Sequence, residues 1–349
     1  MTTKIVPAFL IGYSNSDFTD PHDVVLPDEA PDCRTTFTHM GARYSGYETC
    51  RHKATTPNAD GGFHYDHNAH NWLTIGLKER SEIHNLRIST KWFTGNQVRA
   101  VTVTLIDELT GKHTQIIERT PLNPDSEHDF PVDKVPATEC LIECYSEGGI
   151  ARVHLYGSPT FEPLPRRDNL LEKATISHVS NDHYGNPAMA VAGRRLEKHM
   201  VGWESARTGF GERALFQLHQ PKVIQELVVD TYLHRLNSPL SCHLFGSNDP
   251  DMDQAPRWKL VLADGKEIIP DNFQKYMLAQ EYLSEAGHNF EIRLHLPSQK
   301  WIPLLATAPL SPDTYHRFRQ LQSHEPVSHL LYMHYPNGGI HGLKAFEAS

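Results

Sequence analysis

Cysteine is scarce in this 349-residue chain. There are five (Cys33, Cys50, Cys140, Cys144 and Cys242), an odd number without a CxxC pair. That argues against a disulfide framework and the common zinc spacings, and suits a reduced, cytoplasmic protein. Cys140 and Cys144 fall on one face of a strand, a spacing that suits packing better than bridging. Long apolar runs are missing as well. No stretch approaches the ~20 residues needed to span a bilayer. The apolar segment near the N-terminus is short, interrupted by Pro7 and followed by Asn15 and Asp17, so no secretory signal is expected. Nor is there an excess of positive charge: Lys+Arg 33 against Asp+Glu 42 gives −9. That balance argues against a nucleic-acid partner, which needs an electrostatic footprint of the opposite sign. A local pocket of arginine and histidine can still hold a small anion. Helical stretches are few, and 24 prolines point toward strands and turns.

What is present is a globular composition, 39% apolar and 21% charged, in a length that suits two domains. Self-similarity then organises the chain. Gly46-Tyr47-Glu48-Thr49-Cys50-Arg51 is echoed by Gly202-Trp203-Glu204-Ser205-Ala206-Arg207, and Ile83 to Thr90 by Ile224 to Thr231. Pro121-Leu122-Asn123-Pro124-Asp125, with His128 and Phe130, returns as Pro309-Leu310-Ser311-Pro312-Asp313 with His316 and Phe318. Gly148-Gly149-Ile150 returns as Gly338-Gly339-Ile340. Four echoes in the same order describe a duplicated domain.

The offsets locate the differences between the copies. Gly46 to Gly202 is a step of 156 and Thr90 to Thr231 a step of 141, so the first copy holds 15 extra residues, assigned to Thr55–Asn71. Pro121 to Pro309 is a step of 188, so the second copy holds 47 extra residues, between about Leu240 and Pro309. The first repeat is read as 1–160 and the second as 172–349 with an insertion at 241–308, joined by a proline-rich linker over 158–167. Period-two runs such as Val101–Leu105 and Ala151–Tyr156 predict an all-β fold of two tandem jelly-roll β-sandwiches. One helix is expected inside the second insertion, from Asp271 through Phe273, Gln274, Tyr276, Met277 and Leu283 to Gly287, lying on the sandwich surface.

These ordered motifs resemble the allantoicase family over nearly the whole chain. Its two repeats carry Gly-Trp/Tyr-Glu-Thr/Ser followed by arginine, a strand ending in Asp-Thr, a Gly-Asn turn, Pro-Leu-x-Pro-Asp-x-x-His-x-Phe, and a terminal strand with Gly-Gly-x-Ala-Arg. The first copy here has Gly46–Arg51, Ser89-Thr90, Gly95-Asn96, Pro121–Phe130 and Gly148–Arg152. The second has Asp182-His183-Tyr184-Gly185, Gly202–Arg207, Asp230-Thr231, Asn237, Pro309–Phe318 and Gly338-Gly339. The resemblance implies paired galactose-binding-like jelly rolls that hydrolyse allantoate to ureidoglycolate and urea, in an enzyme that commonly assembles into homo-oligomers. Departures from the pattern are Ser45 and Val201 for an aspartate, Cys50 and Ala206 for the first arginine, Ser89 for an aspartate, Leu236 for the turn glycine, and Gly342 for the last-strand arginine.

Allantoate carries a carboxylate and two ureido groups on one tetrahedral carbon. Releasing urea needs a proton for the departing nitrogen, a water on the carbon, and an anchor for the carboxylate. Glu48, Glu204 and His183 are the acid–base candidates. Arg51, His52, Arg207, Asp182, Asp230 and Trp203 are the candidates for holding the anionic substrate, arginine by its bidentate fork. The competing readings are internal Glu–Arg salt bridges beside Tyr47 and Trp203, carboxylates capping turns at Asp182 and Asp230, turn chemistry at Asn96 and Asn237, and framework hydrogen bonds at His128 and His316. The tract His64-Tyr65-Asp66-His67-Asn68-Ala69-His70 has ligand types for manganese or zinc, with His64, His67 and His70 as donors, but matches no established metal spacing. A retooled relative acting on another ureido or guanidino compound, and a pair of non-catalytic binding modules, remain alternatives.

Overall fold

Two strands of 19 residues each, Asn71–Ser89 and Glu127–Tyr145, organise the first half of the chain. They pair antiparallel almost end to end, with the ladder skipping at Pro131/Val135 and Ala137/Glu139. Such irregularities bend a strand, and here they let each long strand serve two layers. The Asn71–Gly76 and Glu139–Cys144 portions join Ala8–Tyr13, Ala100–Asp107 and Lys112–Pro121. The Ser81–Ser89 and Glu127–Ala137 portions join Arg152–Pro159, whose far side carries Lys4–Ile5. Leu73, Ile75 and Leu77 point inward before the corner, Leu86 and Ile88 after it. The change of phase coincides with a register skip at Tyr156/Gly157, because one extra residue moves the buried set to the other face. Val101, Val103, Leu105, Cys140, Ile142, Cys144, Val153 and Leu155 close the core from both layers.

The computed structural model describes residues 4–16, 18–39, 41–160, 168–193, 195, 202–207, 211–269 and 290–347, in two compact units, Met1–Arg166 and Arg167–Ser349. The second unit repeats the plan with its long strands cut at the corner. Thr175–Val179, Glu212–Lys222, Val327–Tyr335, Ser241–Ser247 and Ile302–Pro309 form one sheet in that order, and Tyr315–Phe318, Ile224–Asp230 and Gly342–Glu347 form the other. Apart from Lys4–Ile5, which has no counterpart among the described residues, this is the pairing of the first unit. The chain is all-β, two tandem jelly-roll sandwiches. Among the described residues the one α-helix is the six-residue Pro187–Ala192. No helix among them is long and apolar enough to cross a membrane.

Ser241–Ser247 and Ile302–Pro309, at the two ends of the expected 241–308 insertion, are themselves members of the five-stranded sheet. Between them Glu267–Ile268, Arg257–Leu262 and Phe290–His295 form a three-stranded sheet. It covers the outer face of the five-stranded sheet, where Trp258 and Trp301 pack with Leu215, Phe245, Leu331 and Met333. Strands covered on both faces read as continuous apolar runs, which is why Ala214-Leu215-Phe216 and Leu330-Leu331-Tyr332-Met333 lack alternation. The helix expected over Asp271–Gly287 lies outside the described residues.

The repeated histidines brace the corner beside each Pro-Asp turn. The Asn123 N–H donates to His128 Nε2 at 2.9 Å, and Nδ1 lies 3.2 Å from the Ile88 carbonyl oxygen. The Ser311 N–H and the Val229 carbonyl hold His316 in the same way, at 2.9 and 3.0 Å. A ring that accepts at Nε2 and donates from Nδ1 is neutral imidazole. Both atoms are engaged with backbone, so these histidines are framework. Replacing either His128 or His316 by alanine is expected to lower the unfolding free energy by about 1–2 kcal/mol, read by urea denaturation of the whole chain. An unchanged midpoint would contradict the assignment.

Candidate active site

The Gly-aromatic-Glu and Gly-Gly-Ile echoes, far apart in each copy, meet as a two-residue antiparallel ladder. Glu48 stands opposite Gly149 and Tyr47 opposite Ile150; Glu204 stands opposite Gly339 and Trp203 opposite Ile340. The leading glycine is dictated by contact. Gly46 and Gly202 have φ of +128° and +156°, and a Cβ there would lie 2.3 Å from the Ile150 oxygen and 2.1 Å from the Ile340 oxygen. The aromatic residue anchors the element, Tyr47 and Trp203 both being 0% exposed. Hydroxyls lock the far side: the Gly148 N–H donates to Thr49 Oγ1 at 2.9 Å and the Gly338 N–H to Ser205 Oγ at 3.1 Å.

Each glutamate is met by an asparagine and an arginine of its own unit. Asn96 Nδ2 donates to Glu48 Oε1 at 3.2 Å and Asn237 Nδ2 to Glu204 Oε1 at 2.8 Å. A second asparagine in each copy fixes the loop after the glutamate: Asn15 Oδ1 accepts from the Cys50 N–H at 2.6 Å and Asn181 Oδ1 from the Ala206 N–H at 3.2 Å. The copies differ at the arginine. Arg51 closes on Glu48 at 2.6 Å, whereas Arg207 lies 3.9 Å from Glu204 with its side chain 73% exposed. Sequence reasoning treated Asn96 and Asn237 as turn residues and passed over Asn15 and Asn181. Asn96 and Asn237 sit at the same step of 141 as Thr90 and Thr231, so the repeat pairs them. Asn15 and Asn181 are 166 apart, a step that none of the echoed motifs shares.

The other candidates divide. Asp182, His183 and Tyr184 are exposed and sit beside the Glu204 element, since the His183 N–H donates to Asn181 Oδ1 at 3.1 Å and the Tyr184 N–H to the Glu204 carbonyl at 3.0 Å. His52 is exposed and its backbone N–H donates to Glu147 at 3.1 Å. Trp203 is fully buried and gives its indole N–H to the Asn181 carbonyl at 2.7 Å, the position of an anchor for the loop. Asp230 is 4% exposed and bound at both oxygens by Arg195, at 2.8 and 2.7 Å, so its carboxylate is already satisfied inside the protein.

The histidine tract does not converge on a metal position, and no group of three or more His, Cys, Asp or Glu among the described residues does. His64 lies on an exposed hairpin strand, Phe63–Tyr65, paired with Thr55–Pro57. His67 follows in the loop, where its carbonyl accepts from Arg119 at 2.9 Å. His70 turns toward the sheet, its Nε2 3.3 Å from Glu143 and its ring 5.6 Å from that of Tyr145. A hairpin strand and the loop after it spread the three donors instead of gathering them.

Comparison with known proteins now decides the family. The allantoicase repeat matches the chain twice, over residues 2–160 and 169–348. The chain belongs to the allantoicase family. An allantoicase of Saccharomyces cerevisiae is 22% identical over 97% of this chain and 90% of its own length. A probable allantoicase of Nocardia farcinica is 24% identical over 94% and 88%. A solved allantoicase structure covers 98% of this chain and 91% of its own at 19% identity, with a TM-score of 0.35.

As a member of the allantoicase family, the chain departs from the family motif in ways that compensate locally. Arg152 is 3% exposed and stands opposite Ser89 in the ladder. With serines at positions 45 and 89, its guanidinium donates to the Asp28 and Ala151 carbonyls and to Ser45 Oγ, at 2.8, 2.7 and 3.1 Å, and Ser45 donates on to Asp23 at 3.0 Å. The second unit has the inverse loss. Gly342 lies opposite Asp230, and Arg195 supplies the missing guanidinium from another segment, 5.0 Å from the Tyr232 ring and 5.4 Å from that of Tyr315. Nothing in the spacing of Arg195 marked it, because it lies outside the echoed motifs.

The second unit buries a set of titratable groups, Glu212, His234 and His334 near the ladder and His243 on the outer face of the sheet against Phe245 and Trp258. Burial pushes the Glu212 carboxyl up to about 8 and the imidazoles of His334 and His243 down to about 3 and about 4; His234 is lowered too, for the same reason. The signs oppose. A histidine with a depressed folded pKa contributes stability that is present above the unfolded value of about 6.5 and lost as pH falls toward the folded one. Glu212, raised in the fold, contributes stability that is full below about 4.3 and lost as pH rises through its folded value. Three histidines outweigh one carboxyl in acid, and the carboxyl acts alone above neutrality. Thermal melts are therefore expected to peak between about pH 6.5 and 7, and Glu212→Gln to flatten the alkaline side alone. A melting temperature still rising toward pH 9 would refute the assignment.

Proposed function

We propose that this chain hydrolyses allantoate to ureidoglycolate and urea, the allantoicase step of purine breakdown through allantoin. The observation that carries the reading is the allantoicase repeat matched over both halves of the chain. The local groups are of the kinds the reaction needs. A C–N bond to the central carbon breaks and a C–O bond from water forms, while a proton moves from that water to the departing ureido nitrogen. A glutamate held by an amide donor can take the proton and return it, as Glu204 is held by Asn237 at 2.8 Å. Arg207, extended toward solvent, has the planar fork that fits the substrate carboxylate. His183, exposed beside the same element, is a second proton carrier within reach of that loop. In this reading the enzyme is of the amidinohydrolase class, cytoplasmic and homo-oligomeric, with a small anionic ureido substrate and neither nucleic acid nor membrane as partner. A divalent metal, manganese or zinc, would have to find ligands other than the His64–His70 tract.

Incubation with allantoate should release urea and ureidoglycolate in equal amounts. Glu204→Gln should lower kcat about a hundredfold or more. Arg207→Ala should act chiefly on KM, raising it about tenfold. Full activity in Glu204→Gln would remove that residue from the mechanism, and no turnover with or without added manganese or zinc would overturn the reading.

A further inference from the structure

The two copies share a constellation but not what lies behind it. Phe93 and His234 occupy the same place, each so close under its ladder glycine that a Cβ on Gly149 would lie 2.0 Å from Phe93 and one on Gly339 2.1 Å from His234. The cross-strand pair Asn71–Cys144 in the first unit is Glu212–His334 in the second. Ala151, whose N–H donates to the Ser89 carbonyl, is matched by His341, whose N–H donates to Asp230. Where the first unit has a phenylalanine, a cysteine and an alanine, the second has three histidines. His234 and His334 are 2% and 0% exposed, and His234 Nε2 and both ring nitrogens of His334 lack a hydrogen-bond partner among the described residues.

Buried imidazole is expensive unless its polar atoms are used, and one contact shows a use. His234 Nδ1 lies 3.2 Å from Asn237 Oδ1, and Asn237 Nδ2 lies 2.8 Å from Glu204 Oε1. An amide oxygen only accepts, so the His234 ring donates there, and the amide of Asn237 is fixed with its NH₂ toward the carboxylate. In the first unit Phe93 has no donor to offer. Asn96 stands at the longer distance of 3.2 Å, and Glu48, 3% exposed, is closed off by Arg51 at 2.6 Å. Glu204 keeps 18% of its side chain exposed, with Arg207 turned outward.

We propose that hydrolysis is confined to the second unit, with His234 as the positioning residue that orients Asn237 and through it the Glu204 carboxylate, the first unit's constellation being a closed structural copy. This rests on the allantoate reading and adds to it which half of the duplication reacts. The groups facing His234 are Glu204, Asp230, His334 and His341, and those facing Glu204 are Arg207 and Asn237. Losing the His234 donor frees Asn237 to turn its oxygen toward the carboxylate, which removes the hydrogen bond that favours the charged form.

The test compares whole-chain variants on allantoate. His234→Phe installs the residue that the first unit already accommodates at this place. It should lower kcat about ten- to a hundredfold with KM within about twofold, and move the acid limb of the kcat/KM profile to higher pH. His234→Asn, which restores a donor near the Nδ1 position, should recover most of kcat and return the limb. Phe93→Leu should leave both unchanged. Asn237→Asp tests the same link without altering the histidine, and should cost at least about tenfold in kcat. A His234→Phe enzyme with the original kcat and acid limb, full activity in Asn237→Asp, or turnover that survives Glu204→Gln would overturn the proposal. Absence of turnover in the unsubstituted chain would instead overturn the allantoate reading, and this inference with it.

Discussion

Everything at the candidate site hangs on a ladder only two residues long. In each unit the Gly-aromatic-Glu strand is pinned to Gly-Gly-Ile, with the aromatic driven into the core and the glutamate on the opposite face. Strand geometry makes this compulsory, because successive side chains point to opposite faces. Burying Tyr47 or Trp203 turns Glu48 or Glu204 the other way. The glycines before and opposite the glutamate allow the backbones to approach closely enough for that placement, and a Cβ at Gly149 or Gly339 would collide with the ring beneath. The direction of the candidate carboxylate is thus set by hydrophobic burial of its neighbour.

Much of this was legible in the sequence because duplication writes each constraint twice. The offsets separated the units, the alternating runs gave the strands, and the paired echoes identified the glutamates, the arginines after them and the corner histidines. Less local features were hidden. Trp203 and Asp230 carry residue types that suit a substrate site, and only burial and the Arg195 fork show that they are internal. Asn15 and Asn181 accept from backbone N–H groups about 25 to 35 residues further along, a relation that no periodicity records. The His64–His70 tract misled for the opposite reason. Composition supplied the ligands, but a hairpin and its following loop carry them in different directions.

The inserted sheet explains a mismatch that pattern reasoning alone would assign to the wrong cause. Ala214-Leu215-Phe216 and Leu330–Met333 break the period-two rule because the second unit covers a sheet face with a layer containing Trp258 and Trp301. Burying that outer face adds hydrophobic stabilisation of about 25 cal/mol for each Å² of apolar surface removed from water. A unit with that reserve tolerates polar groups elsewhere in its interior, and the second unit holds Glu212, His234, His243 and His334 in its buried interior.

Divergence between the copies then follows a physical logic. Position by position the first unit is closed: an ion pair seals Glu48, Phe93 and Cys144 are buried, and Arg152 is tied to backbone carbonyls. The second has an open rim over a polar interior, and with Gly342 rather than an arginine opposite Asp230, Arg195 keeps that carboxylate paired. A buried carboxylate stripped of its partner costs about 3–5 kcal/mol, so losing the arginine required a replacement, whereas the first unit's exchange of aspartate for Ser89 did not. The asymmetry is therefore one of chemistry. The first unit backs its ladder with Phe93 and Cys144, and the second backs its own with His234, His334 and Glu212, whose buried polar atoms are costly unless they orient a neighbouring group.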